Sequence, residues 1–308
     1  MLAVNAQNIR KDFRGASAIR GLNLEIEKGT VAGLIGPDGA GKSTLLRLLA
    51  GLLRPTSGRI EIAGFDVETK PFEIKERIGY MPQHFGMYGD LTVAENMKFF
   101  ADMYRVQARR FIERKEELLK FSALAPFADR LARNLSGGMQ KKLALACCLF
   151  HTPEILLLDE PTTGVDPLSR QELWQLLGEL HGRGVTILLT TPYMDEAARC
   201  RGVGFIDQGR MLAYDSPENL ILAMKDEIAE LIAPLPPSLR ALKNMADIKG
   251  AHPFGDKIHI MLKADGARLE EIRGRLEGEG IPVESLRIIS PSFEDVFLTL
   301  AQGRAEMK

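Results

Sequence analysis

The segment Gly36-Pro-Asp-Gly-Ala-Gly-Lys-Ser-Thr44 constrains this chain more than any other. It fits G-x-x-x-x-G-K-[ST]. It lies between a short apolar run, Val31–Ile35, and a helical pattern over Lys42–Leu53 with leucines at 45, 46, 48, 49, 52 and 53. A strand, a glycine-rich turn and a helix in that order make a cradle for phosphate. Glycine lets successive N–H groups curl around an anion without Cβ clashes, and the helix N-terminus adds partial positive charge. The pattern predicts that Gly36, Pro37, Asp38, Gly39, Ala40, Gly41 and Thr44 surround a nucleoside triphosphate. Lys42 reaches its β- and γ-phosphates as a point charge, and the Ser43 hydroxyl ligates Mg²⁺. The motif alone does not choose among kinases, GTPases and transport ATPases.

The flanking pattern is α/β. Leu22–Ile26 and Gly58–Ile62 read as strands, Thr92–Leu124 as mostly helical, and Gly137–Phe150 as a helix. Ile155–Leu158 and Val185–Leu189 are short apolar runs, as buried strands of a parallel sheet are, and Pro167–His181 between them is helical, which makes a βαβ unit. The expected core is therefore a mixed, largely parallel sheet, with a helical subdomain over residues 85–150. Composition shifts near Pro217–Lys225, and Ala233–Ser238, with Pro234, Pro236 and Pro237, reads as a linker or turn. Beyond it, Lys257–Leu262 and Val283–Ile289 read as strands and Ala267–Glu279 and Phe293–Gln302 as helices. This predicts a first domain over 1–222 and a small α+β domain over 223–308.

Two further motifs carry chemistry. The run Ile155-Leu-Leu-Leu-Asp159-Glu160 is an apolar strand ending in two acids. Burying them needs an offset to their desolvation, which Mg²⁺ near Asp159 supplies. Glu160 is then placed to orient and deprotonate the attacking water, an effect of about 10²–10⁴-fold. The run Leu135-Ser136-Gly137-Gly138-Met139-Gln140 opens a helix: Ser136 is a natural N-cap, and the two glycines leave N–H groups for an anion.

Several classes are disfavoured. The formal net charge is −1, without the basic excess of a nucleic-acid binder. Oily stretches such as Leu143–Phe150 fall short of the ~18 residues of a membrane span. Met1–Phe13 has no apolar block and does not read as a secretory signal. Cys147, Cys148 and Cys200 show no C-x-x-C spacing and read as small buried hydrophobes of a reduced compartment. Arg109, Arg110, Arg114 and Lys115, interleaved with Glu113, Glu116 and Glu117, read as a solvated helix face.

Taken together, the motifs resemble those of ATP-binding subunits of ABC transporters, in the same order from Met1 to about Pro217. Gly36–Thr44 resembles the Walker A loop, Gln83 in Tyr80-Met-Pro-Gln83 the Q-loop, Leu135–Gln140 the signature, Ile155–Glu160 the Walker B strand, and Gly164-Val-Asp166 a D-loop altered in its first residues. Phe13 falls where the adenine-stacking aromatic stands. The run Gly36-Pro-Asp-Gly and the ending Pro291-Ser-Phe-Glu-Asp-Val-Phe-Leu298 resemble the multidrug, polysaccharide and lipid exporter group, whose members often carry a small C-terminal domain. The resemblance implies a P-loop NTPase cassette that binds ATP and Mg²⁺. Ser43, Gln83 and Asp159 stand at the metal, Glu160, Lys42 and Gln83 in catalysis, and Ser136, Gly137 and Gly138 on the nucleotide of a second cassette. It further implies a homodimer or heterodimer of cassettes, a membrane permease docked over Gln83–Leu91 and the following helix, and a peripheral place on the cytoplasmic face of the cell (inner) membrane.

One position departs from the family pattern. After the strand Val185–Thr191 the family carries a histidine, and here Pro192 stands in Thr190-Thr-Pro192-Tyr-Met-Asp-Glu196. Proline has no side-chain donor for a γ-phosphate. This predicts a slow site on the chain's own Walker loops and pairing with a different cassette, unless Thr191, Tyr193 or another histidine substitutes. The competing reading is a soluble, non-transport ABC ATPase acting on a macromolecular partner. Chromosome-type members need a long coiled coil between Q-loop and signature, and His84–Arg133 is short and lacks sustained heptads. A P-loop switch or kinase leaves Leu135–Gln140 unexplained.

Overall fold

The computed structural model describes residues 1–84, 86–224, 226–263 and 269–303. The chain forms two compact units, Met1–Ser216 and Pro217–Lys308. The division falls at Pro217 rather than after 222, because Pro217 opens a short helix that belongs with the second unit.

In the first unit, β1 (Leu2–Phe13) and β2 (Ala16–Glu27) form a long antiparallel ribbon. β3 (Val31–Ile35) leads through the glycine loop into α1 (Lys42–Leu49). The helix stops short of the expected Leu53 because Gly51 takes a left-handed φ of 65° just past its C-cap, leaving Leu52 exposed. β4 (Ser57–Ile62) and β5 (Phe65–Asp66) rejoin the ribbon in an antiparallel sheet of order β2-β1-β4-β5. Their turn, Ala63-Gly64, has positive φ at both residues, which matches the twist of the strands it joins.

The chain then runs through α2 (Pro71–Lys75), β6 (Ile78–Met81), α3 (Val93–Met103), α4 (Ala108–Phe121) and α5 (Gly137–Cys148). The long helical pattern from Thr92 is thus two helices, parted near Arg105, whose φ is 55°. α3 starts on a capping box of Thr92 and Glu95. One turn on, the fully buried Asn96 binds the carbonyls of Tyr88, Leu91 and Thr92 and accepts from Tyr88 N, so the segment after Gln83 is fastened to α3.

β7 (Ile155–Asp159), α6 (Pro167–Gly182), β8 (Thr186–Thr190), α7 (Met194–Ala197), β9 (Gly202–Asp207) and β10 (Arg210–Asp215) complete the unit. The second sheet has order β10-β9-β3-β8-β7-β6, parallel except for β10. All five residues of β7 and of β8 are buried, which is why each reads as an unbroken apolar run. Leu45, Leu46, Leu48 and Leu49 of α1 share one core with Val4, Ala6 and Ile9 of β1 and with Leu157 and Leu188. Each fully buried leucine contributes about 1.5–3 kcal/mol, so this core fixes where the glycine loop emerges.

The second unit contains α8 (Pro217–Leu222), β11 (Glu227–Ile232), α9 (Leu235–Lys243), β12 (Ile248–Phe254), β13 (Lys257–Leu262), α10 (Leu269–Gly278), β14 (Ser285–Ile289) and α11 (Phe293–Gly303). Its sheet is antiparallel, of order β12-β13-β11-β14. Ala233–Ser238 is not a linker. Pro234 is the N-cap of α9 and Pro236 and Pro237 occupy its first turn, where the missing N–H is not needed. Leu242 of α9, Ile258 and Ile260 of β13, and Ile272 and Leu276 of α10 form the unit's own core. Ala267, the expected start of α10, lies outside the described residues.

Candidate nucleotide site

The glycine loop is shaped by backbone on both sides. A Cβ on Gly36 (φ 155°) would stand 1.9 Å from the Ile206 carbonyl oxygen of β9. A Cβ on Gly41 (φ 107°) would stand 2.6 Å from the Ala18 carbonyl oxygen of β2. The turn between β9 and β10 braces the loop from the same direction: Gly209 N donates to Ala40 O at 2.8 Å, and Arg20 N to Gly209 O at 2.7 Å. Gly41 is the N-cap of α1 and no side chain caps the helix, so its first-turn donors are left to an anion. Lys42 is buried, and its Nζ donates to Gly36 O at 2.7 Å and Pro37 O at 3.1 Å. Pro37, Asp38 and Gly39 form the exposed lip, and Ser43 and Thr44 are half-buried behind it. Phe13 ends β1 as an exposed ring with Lys11 Nζ 5.2 Å from its centroid.

The two acids come from the end of β7, in the same sheet as β3: Asp159 is its last residue and Glu160 follows it. Asp159 Oδ1 accepts from Ser43 Oγ at 3.0 Å and from Thr190 Oγ1 at 2.8 Å, which joins the Walker A serine to the ends of β7 and β8. Asp159 Oδ2 is buried without a hydrogen-bond partner. Ser43 Oγ and Asp159 together offer hard oxygen donors of the kind a small dication takes. Thr190 Oγ1 also accepts from Glu160 N at 2.9 Å, which anchors the next residue's backbone. Glu160 is buried and adopts φ 48°. A left-handed conformation at a non-glycine residue costs about 1–3 kcal/mol and persists only where the surroundings hold it. The glutamate's Oε2 accepts from Gln83 Nε2 at 3.0 Å. Gln83, Glu160, Asp159 and Ser43 therefore form one connected cluster.

Ser136 caps α5 by accepting from Met139 N at 3.3 Å. Ser136 and Gly137 are exposed, while Gly138 is buried against α6: a Cβ there would stand 2.4 Å from Ser169. Asp166 caps α6 in turn, accepting from Ser169 N at 2.9 Å. Sequence reasoning missed Lys141, one turn along α5. Its Nζ donates to Gln83 O at 2.9 Å and to Glu160 O at 3.2 Å, tying the signature helix to both catalytic candidates. Burial lowers its pKa, against the opposing charges of Glu160 and Asp159. Arg114, expected on a solvated face, instead reaches Leu149 O at 2.7 Å and fastens α4 to the end of α5.

The loop at Pro192 is held by a third buried acid, Glu196. Glu196 Oε2 accepts from Thr191 Oγ1 at 2.6 Å and from Thr162 Oγ1 at 2.8 Å. Thr191 Oγ1 also accepts from Tyr193 N at 3.1 Å, and the Tyr193 ring lies 4.0 Å from the Arg170 guanidinium carbon. The Thr191 hydroxyl is thus engaged in holding the loop, and Pro192 itself is exposed.

Known proteins are similar to this chain. The ABC transporter family model matches residues 19–163. The chain is 37% identical over 310 residues to the daunorubicin resistance ATP-binding protein DrrA2 of Streptomyces coeruleorubidus, covering 99% of this chain and 96% of that protein. It is 40% identical over 305 residues to the probable multidrug ABC transporter ATP-binding protein YbhF of Escherichia coli (strain K12), covering 97% of this chain and 52% of YbhF, so it spans about half the length of that relative. A solved dimer of the ATP-binding cassette MJ0796, in a post-hydrolysis state bound to ADP and Pi, matches with a TM-score of 0.64 at 28% identity, covering 69% of this chain and 98% of that one. With near-complete coverage by DrrA2 and the motif geometry above, the chain belongs to the family of ABC transporter ATP-binding proteins.

Proposed function

We propose that this chain binds and hydrolyses ATP to power an exporter, as a peripheral subunit on the cytoplasmic face of the cell membrane. The observation that carries the reading is the connected cluster of Ser43, Asp159, Thr190, Glu160 and Gln83 behind a glycine cradle. The partnerless Asp159 Oδ2 and the Ser43 hydroxyl fit Mg²⁺, with the Gln83 amide oxygen as a third donor. Bound there, Mg²⁺ would neutralise charge on the β- and γ-phosphate oxygens. Lys42 and the α1 N-terminus hold the phosphates, Phe13 offers a face to the adenine, and Glu160 accepts the proton of the attacking water. Gln83 Nε2 fixes the Glu160 carboxylate through one oxygen and leaves the other for the water.

One cradle covers one side of the γ-phosphate. The exposed Ser136 and Gly137 supply donors to the nucleotide of a second cassette, so closure of two cassettes completes each site. Among the described residues no helix is long and apolar enough to cross a membrane. The reading assigns the membrane path to a partner permease, docked over Gln83–Leu91 and α3. Asn96 would pass a shift of that segment to α3, and Lys141 would pass it to α5. The names of DrrA2, a daunorubicin resistance protein, and of YbhF, a probable multidrug transporter subunit, support export. The soluble, non-transport alternative is not favoured: α3 and α4 are short helices, not a coiled-coil arm.

Lys42→Ala tests the reading in the transporter purified with its permease. Losing charge-assisted bonds worth about 1.5–3 kcal/mol is expected to weaken ATP binding about 10–100-fold and to stop export. ATP affinity equal to wild type would sink the reading. Pro192→His tests the slow own site. The Thr191 hydroxyl donates to Glu196 and the Tyr193 ring lies against Arg170, which supports a site without a substitute for the imidazole. A donor restored to the γ-phosphate is expected to raise turnover about 10–100-fold in steady-state phosphate release. An unchanged, robust rate would argue against a slow site and against pairing with a different cassette.

A further inference from the structure

The second unit holds a side-chain cluster for which ATP chemistry has no use. His252 of β12 and His259 of β13 stand directly opposite each other in the antiparallel register, so both side chains leave the same face of the sheet. Both rings converge on one atom of α11, Asp295 Oδ1: His259 Nδ1 lies 2.9 Å from it and His252 Nε2 3.2 Å. One donor atom from each of the three residues lies within 4.8 Å of the others.

The cluster is rigid and mostly dry. Asp295 is fully buried, His259 is 3% exposed, and the His252 side chain is 12% exposed. Asp295 Oδ2 accepts from Ser292 N at 2.7 Å and from Ser292 Oγ at 2.6 Å, which fixes the carboxylate plane. Phe254 stacks on the His259 ring at 4.2 Å between centroids and fixes its orientation. Burial alone would raise the Asp295 pKa. The hydrogen bonds from His252, Ser292 and His259 outweigh it and hold the carboxyl well below the usual range, so it is an anion. Asp295 Oδ1 contacts one nitrogen of each imidazole, and His252 Nδ1, the ring nitrogen that does not contact Asp295, is buried without a partner.

We propose that His252, His259 and Asp295 form a binding site for a divalent transition-metal ion, zinc being the fitting case, with water as fourth ligand on the His252 side. Two imidazole nitrogens and one carboxylate form a ligand set suited to zinc and unlike the all-oxygen sets of magnesium and calcium. In a tetrahedral site with bonds of about 2.0–2.2 Å, ligand atoms sit roughly 3.3 Å apart. The separations at Asp295 Oδ1, 2.9 and 3.2 Å, lie at or a little below that value, and all three donor atoms lie within 4.8 Å of one another. Such an ion would clamp β12, β13 and the start of α11 together.

The test uses the full chain, treated with chelator and then desalted, without nucleotide or magnesium. Zinc titrated by calorimetry is expected to bind at one equivalent, and cobalt(II) in its place is expected to give the visible absorption bands of a tetrahedral site. Removing partners outside the first coordination sphere of zinc sites costs about 10–100-fold in affinity, so loss of a ligand in His252→Gln is expected to cost about 100-fold or more. Asp159→Asn, which alters the nucleotide site instead, is expected to leave zinc binding unchanged. No stoichiometric zinc, equal affinity in His252→Gln, or loss of the bound zinc in Asp159→Asn would each overturn the proposal. If His252→Gln fails to fold, the wild-type cobalt spectrum decides: tetrahedral bands support the site and their absence rejects it.

Discussion

Glu160→Gln is expected to lower steady-state phosphate release about 10²–10⁴-fold while leaving ATP binding within about twofold of wild type. The separation follows from how Glu160 is placed. Its position is set by backbone, not by its carboxylate: Glu160 N donates to Thr190 Oγ1, and the strained φ of 48° is held by the same contact. Glutamine keeps the shape and loses only the ability to accept a proton. Lys42 and the first turn of α1, proposed to hold the phosphates, follow β3, and Lys42 Nζ bonds Gly36 O and Pro37 O while the Glu160 carboxylate bonds Gln83. The decisive comparison is phosphate release against nucleotide binding on the same preparation. A variant that still turns over at the wild-type rate would remove Glu160 from the role of base. One that loses binding as well would make it part of the phosphate cradle.

The cradle was legible because its parts are contiguous. Gly36, Gly41, Lys42 and Ser43 lie within one loop and one helical turn, and the clashes that a Cβ would make at Gly36 and Gly41 are the physical content of the motif. β7 and β8 were legible because burial on both faces leaves an apolar run with no polar alternation. The join between Ser43 and Asp159 spans 116 residues, and no local pattern encodes it; the two met only through the Mg²⁺ assigned to each. β1 and most of β2 were missed because one face of the ribbon meets solvent and the register slips at several points, which blurs the period of two. The prolines at the start of α9 were misread because proline breaks a helix interior yet suits its first turn. Lys141 was missed for the opposite reason: a lysine reads as surface unless its carbonyl partners, Gln83 and Glu160, are known. His252, His259 and Asp295 are likewise brought together only by strand register and a helix start.

Gly137→Asp carries the second large expected effect, because it separates what a cassette does for itself from what it does for its partner. Gly137 opens α5 on an exposed surface, and Ser136 already caps the third amide of the helix. An aspartate at this first position suits the helix dipole, a stabilisation of about 0.3–1 kcal/mol, so the fold is expected to survive. The added Cβ would stand 3.3 Å from Gly164 O, a contact the loop relieves by a shift of a few tenths of an ångström. The new carboxylate would then face the γ-phosphate held by the opposing cassette, where two N–H donors and a helix N-terminus are meant to stabilise negative charge. Losing one such donor costs about 10²–10³-fold in turnover, and a repelling charge is expected to cost at least as much. ATP binding to the chain's own cradle should remain, since Lys42 and α1 are untouched. In a transporter built with a different partner cassette, the loss should fall on the partner's site. Labelled nucleotide hydrolysis in pairs carrying the variant on one side only reads this directly. If the variant impairs its own ATP binding and spares the partner's hydrolysis, the signature acts within one chain, and the two-cassette site is wrong.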